Sequence, residues 1–212
     1  MGKLTAQAIA ERALEIGDAE GLDAVTIRRL ATELGVTPMA LYWHYKNKEQ
    51  LIFGMADHLI GSFAPKRADD RPWQEQFRDL IEGLIRTLRT HRCAKSVLEQ
   101  IDAVEVPNFL AVWDQALGLA RRAGFGIDES CLISKYILQS AIAIADAPVH
   151  VKTVDPAAVR AKMASLQSLP EGTYPYLVEM ASPLIKGTEP RLYDTFGVDL
   201  VLSGIEALAA RR

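Results

Sequence analysis

The chain has 212 residues, 49% hydrophobic and 24% charged, with a formal net charge of −3. This balance fits a folded globular protein and excludes a disordered one, and the length suits a large domain or a small module plus a larger body. The slight acidity gives no global sign of a nucleic-acid partner, so such a partner has to be argued from local charge.

Ala6, Ile9, Ala10, Ala13 and Leu14 recur at i, i+3, i+4, i+7 and i+8 behind Thr5, which predicts an amphipathic helix with a threonine N-cap. Ile27, Leu30, Ala31 and Leu34 repeat the pattern behind Thr26, and Gly35 can end that helix in the left-handed region. Thr37-Pro38 opens a helix over 38–45, with proline where its missing N–H costs nothing. Asn47 precedes a fourth helix, Lys48 to Phe63, with Ile52, Met55, Leu59 and Phe63 on one stripe. Trp73, Phe77, Leu80, Ile81, Leu84 and Leu88 share a face further on, as do Ile133, Tyr136, Ile137, Ser140, Ala141 and Ile144. No segment alternates with period two, so the expected fold is all-α.

"APKRADDR" (64–71) reads as a joint, which divides the chain into a module over 1–63 and a body over 64–212. "PVHVKTVD" (148–155), "SLPEGTYP" (168–175) and "SPLIKGTEP" (182–190) break the second half into helices of unequal length. No internal repeat or low-complexity tract is present.

Two short helices joined through Gly35-Val36-Thr37 make a helix-turn-helix, whose second helix lies in a DNA major groove. Leu41 is its obvious inward residue, with Val36 and Tyr45 as supports. Met39, Ala40, Tyr42, Trp43 and His44 cannot all face one core, because successive residues point about 100° apart. Some are therefore expected outside, the alternative being a satellite core against the next helix. Local charge agrees with a nucleic-acid face: within 26–48, Arg28, Arg29, Lys46 and Lys48 stand against Glu33 alone. The competing reading is a helix-turn-helix used for protein contact, with the body as an adaptor.

"LTAQAIAERALEIGDAEGLDAVTIRRLATELGVTPMALYWHYKNKEQLI" (4–52) resembles the N-terminal DNA-binding domain of the TetR family of bacterial repressors. More weakly, "RPWQEQFRDLIEGLIRTLRTHR" (71–92) and "GVDLVLSGIEALAARR" (197–212) look like the regulatory body of its tetracycline-responsive members. The resemblance implies a homodimeric transcriptional regulator, usually a repressor, that leaves a double-stranded DNA operator when a small molecule binds the second domain. Carried over, Arg28 matches a position that reads a guanine, which suits its forked donors. Thr37, Met39 and Ala40 match positions that touch base edges, and their small or apolar side chains favour thymine methyl groups. Thr26, Tyr42, Trp43, His44 and Lys48 match positions that clamp phosphates or pack on the sugar-phosphate backbone.

The tetracycline-responsive members hold a magnesium–drug chelate with histidine, asparagine and a carboxylate. Leu80, Leu84, Leu98 and Ala147 stand at the corresponding places here, with Asp146 one residue from the last. Leucines do not bind magnesium, so no metal or other cofactor is expected. Leu80, Leu84, Leu98, Ile101, Trp113, Ala116 and Leu117 suggest an apolar effector cavity instead, the alternative being a filled core. A molecule lodged among them would press on Ile60 and Phe63 and swing the fourth helix. The helices near 131–145 and 195–210 carry more apolar surface than one stripe needs, and Gly197, Ser203, Gly204, Ala207 and Ala210 allow close helix approach. The resemblance implies that they form a four-helix dimer interface.

Other chemistry finds little support. His44, His58, His91 and His150 have no metal-ligand spacing with one another or with Cys93 and Cys131. No phosphate loop, nucleophile elbow or carboxylate pair stands out, so an enzyme is not expected. No charged-then-apolar leader opens the chain and no apolar run reaches the roughly 18 residues of a membrane span, so the expected setting is a reducing cytoplasm, away from membranes.

Overall fold

The computed structural model describes residues 4–64, 70–146, 155–170, 172–186 and 190–212, and among these all regular structure is helical. The first four helices, α1 (Ala6–Glu20), α2 (Ile27–Leu34), α3 (Pro38–Tyr42) and α4 (Lys48–Gly61), form a small head. Each starts on a side-chain oxygen that accepts the third backbone N–H. Thr5 takes it from Ala8 at 3.1 Å, Thr26 from Arg29 at 3.1 Å, Thr37 from Ala40 at 3.3 Å and Asn47 from Gln50 at 2.8 Å. Such caps contribute about 1 kcal/mol each and fix where each helix begins. Gly35, at φ 64, ends α2, and Val36 N–H reaches back to the Ala31 carbonyl at 2.9 Å.

The second helix of the motif is shorter than the expected 38–45. It ends at Tyr42, and the chain turns so that Tyr45 swings inward. The Tyr45 hydroxyl donates to the Ala6 carbonyl at 3.0 Å, and its ring occupies the space a side chain on Gly54 would need, with a Cβ there falling 2.4 Å from the ring. One aromatic of the cluster is thus an anchor, and burial pushes its phenol above the ordinary value.

The body is built on α5 (Trp73–Thr90), α6 (Ala94–Leu98), α7 (Pro107–Arg122), α8 (Ile127–Asp146) and α12 (Pro190–Ala209). Phe77, Ile81, Leu119, Ile133, Ile137 and Leu202 are among its buried residues. Between α8 and α12 lie α9 (Pro156–Gln167), α10 (Pro175–Glu179) and α11 (Ala181–Lys186), of which α9 and α10 bury no residue. The stretch 182–190 was expected to be a break, yet most of its start is helical. Pro183 falls in the first turn of α11, where no N–H is needed. Helices α8 and α12 also begin earlier than 131 and 195, and Tyr136 is 63% exposed rather than on the inner stripe of α8.

The head's core extends beyond residue 63. Cys93, Ala94, Val97 and Val106 pack into the cluster of Leu14, Leu41, Leu51 and Met55. Polar bonds hold this segment at both ends. Asp18 of α1 accepts Cys93 N–H at 3.0 Å and meets His91 Nδ1 at 2.8 Å. Asp57 of α4 accepts Asn108 N–H at 2.8 Å, and Asn108 Nδ2 donates to both the Asp57 carbonyl and its carboxylate at 3.0 Å.

The two cysteines differ in a way that a thiol titration reads directly. Burial pushes the Cys93 thiol up to about 12, whereas Cys131 is exposed. The thiolate is the reactive form, so at pH 8 the native protein should release one equivalent promptly with an aromatic disulfide reagent, the second appearing only in denaturant. Two fast equivalents in the native state would contradict this burial.

Candidate functional site

The face around α3 is exposed in the sense its composition requires. Leu41 is fully buried, while Met39, Tyr42 and Trp43 are 66%, 46% and 85% exposed. Thr26, Arg28, Thr37, His44 and Lys48 are exposed as well, and Ala40 is half-buried. Thr26 and Thr37 spend one oxygen lone pair on their caps, which leaves both hydroxyl protons to donate outward.

The cations of this face divide into two groups. Arg29 bonds Glu33 at 2.9 Å and Glu20 at 2.8 Å, and Glu33 also pairs with Arg12. Those two guanidinium groups, Arg12 first, hold the Glu33 carboxyl below its usual range. Arg28, Lys46 and Lys48 make no side-chain ion pair among the described residues. Three unneutralised cations therefore flank a helix that presents aromatic and small apolar groups, an arrangement suited to an anionic backbone with apolar base edges beside it.

Behind the head lies a cavity of about 230 Å³. Leu80, Leu84, Leu98, Trp113 and Ala116 line it, as do Ile60 and Phe63 at the end of α4. Ile101 and Leu117 do not. Ile101 packs on the head's core, and Leu117 sits one position round α7 from the inward face set by Phe109, Val112, Trp113 and Ala116. That i, i+3, i+4, i+7 spacing was the sequence signal for Phe109 and Val112. α8 supplies Ile137 from its predicted apolar face, together with Ser134, Lys135 and Leu138, which the sequence reading did not single out. Asp146 pairs with Lys95 and is absent from this lining, and Ala147 and His150 lie outside the described residues. Among the described residues no three histidine, cysteine or acidic side chains gather as a metal site.

A larger groove of about 500 Å³ runs between α5 and α12, but its central charges are already engaged. Arg89 pairs with Asp194 and donates to the Ile144 carbonyl at 2.9 Å. On the outer side of α8 and α12, Leu132, Tyr136, Phe196, Leu200 and Leu208 are exposed together with open space around Gly204. Gly197 instead faces Ile144 within the same chain. Among the described residues no helix is long and apolar enough to cross a membrane.

Comparison with known proteins is consistent along the chain. Residues 9–55 match the model for bacterial regulatory proteins of the tetR family, and residues 64–209 match the tetracyclin repressor-like C-terminal domain. The HTH-type transcriptional repressor DrrR1 of Streptomyces coeruleorubidus is 27% identical over 99% of this chain and 80% of its own length. The class C tetracycline repressor protein of Escherichia coli is 35% identical over 43% of each chain. ActR of Streptomyces coelicolor superposes with a TM-score of 0.76 at 26% identity, covering 100% of this chain and 99% of its own. The structure of ActR in complex with actinorhodin gives the same score at 25% identity, over 98% and 99% of the two chains. The family and these relatives regulate transcription and are not enzymes, and this chain belongs to the TetR family of bacterial regulatory proteins.

Proposed function

We propose that the protein is a homodimeric repressor that binds a palindromic operator and is released from it by a compact, mainly apolar effector. In this reading residues 1–63 form the DNA-binding domain and 64–212 the effector-binding and dimerisation domain. The observation that carries it is the sharing of one helix, α4, between two surfaces. Its N-terminal Lys48 borders the cationic face of α3, and its C-terminal Ile60, with Phe63 just beyond, walls the cavity. A ligand can lower DNA affinity only by favouring the arrangement that binds DNA poorly, and a shared helix gives it that purchase. The complex of the similar ActR with actinorhodin supports a small-molecule ligand for this chain. Each buried methylene contributes about 0.8 kcal/mol, so a small apolar compound can supply the few kcal/mol required.

The roles assigned to the head separate in one experiment. Lys48→Ala should weaken binding to all DNA sequences alike and reduce the salt slope by about one unit, because it removes a phosphate contact. Arg28→Ala should instead relax preference at one base pair, at about 1–3 kcal/mol, because it removes a base contact. Equal loss from both variants on every sequence would refute the division. No salt-dependent DNA binding at all would favour the protein-contact reading of the helix-turn-helix.

A further inference from the structure

We propose that the effector is an amphiphilic monoanion, with a compact apolar body filling the cavity and one carboxylate or similar anionic oxygen held by Lys135. The inference rests on reading the cavity as the effector site and adds the chemical class of what enters it. Of the side chains lining the cavity, only Trp113 on α7 and the adjacent Ser134 and Lys135 on α8 carry polar atoms, and Lys135 alone carries a charge. The Ser134 hydroxyl already donates to the Cys131 carbonyl at 2.9 Å, so it has lone pairs to offer and no proton. Lys135 is therefore the sole cationic donor on the wall, beside the neutral indole N–H of Trp113.

That donor is uncompensated. Lys135 makes no ion pair or hydrogen bond among the described residues, and its neighbours one turn away on α8 are Cys131, Leu132, Leu138 and Gln139, none of them acidic. Of the acids near the site, Glu129 pairs with Arg212 and accepts Gly126 N–H, Asp102 accepts Val104 N–H at 3.2 Å, and no acidic side chain lines the cavity. Cations further along the body have carboxylates of their own, Arg78 with Asp199, Arg89 with Asp194 and Lys95 with Asp146. The cavity thus carries one unpaired positive charge at its edge and no negative one.

This asymmetry ranks ligands by charge. A cationic amphiphile would meet repulsion and find no carboxylate. A neutral one would fill the apolar space but leave Lys135 as it was. An anion gains a charge-assisted bond whose other partner already stands in place. Because Lys135 is exposed, the gain is moderate, about tenfold in affinity, and salt reduces it.

Titration calorimetry of the full-length protein with 2-naphthylacetate, its primary amide and 2-naphthylethylammonium tests the assignment. The acid should bind about tenfold tighter than the amide and the ammonium compound weakest. Lys135→Met should bring acid and amide together while amide binding stays unchanged, and Lys135→Arg should keep the preference. Raising salt should weaken only the acid, and only where residue 135 is cationic, a response that a merely structural lysine would not give. Equal binding of acid and amide by the unmodified protein, or an undiminished preference in Lys135→Met, overturns the anion assignment and leaves the cavity as the effector site. Failure of all three compounds to bind overturns both.

Discussion

Replacing Phe196 and Leu200 together with glutamate should leave a folded chain that sediments as a monomer and binds a two-half-site operator at least about a hundredfold more weakly. Both side chains are exposed in the single chain, at 64% and 65%, so the substitutions remove nothing from the subunit's own core. They lie on exposed positions of α12, as Leu132 and Tyr136 do on α8, so that both long helices carry apolar side chains on their outer sides. Monomeric proteins rarely leave such a face open, and two copies meeting across a dyad would bury it as a four-helix bundle. Placing several carboxylates in that contact without partners costs far more than the contact returns. A monomer keeps one reading head and loses the second, which accounts for a drop of about 3 kcal/mol or more. Helical content by circular dichroism should be unchanged. Persistence of a dimer in the double variant, or a monomer in the unmodified protein at micromolar concentration, would refute this use of α8 and α12.

Asp57→Ala should bind effector nearly as well as the unmodified protein but need at least about tenfold more of it to release DNA. The Asp57 carboxylate on α4 caps the start of α7 through Asn108, and α7 then runs along the cavity with Phe109, Val112, Trp113 and Ala116. A displacement of α7 by ligand is passed to α4 through these bonds as well as through Ile60 and Phe63. Removing the acceptor leaves the Asn108 N–H at a helix start without its partner, at about 1–3 kcal/mol, and loosens the joint without touching the cavity wall. Asp57→Asn keeps an oxygen for the Asn108 N–H and should restore much of the response. Ligand affinity by calorimetry and DNA release by fluorescence anisotropy separate the two quantities. Unchanged induction in Asp57→Ala would show that α7 and α4 are coupled elsewhere.

What the sequence made legible was local. The caps at Thr5, Thr26, Thr37 and Asn47 act within three residues, and the periodicity of α1, α2 and α5 is carried by their own side chains, so both could be read without a neighbour. The turn at Gly35 is equally local. The fate of Tyr45 was not, because it depends on where Ala6 and Gly54 come to lie. Long-range packing also decides that Cys93, Ala94 and Val97 enter the head's core, which no break in composition announces. On the cavity wall, Leu80, Leu84 and Trp113 share obvious apolar stripes, whereas Ser134 and Lys135 look like ordinary helix-surface residues until α7 is packed beside them.

The central claim, a two-headed reader of DNA, is tested most directly by selecting bound fragments from a random double-stranded library with the unmodified protein. The account predicts recovery of an inverted repeat with half-site centres about one helical turn, on the order of 10 bp, or somewhat more apart, bound by two chains. Recovery of an asymmetric single half-site, or of no common sequence at all, would contradict it.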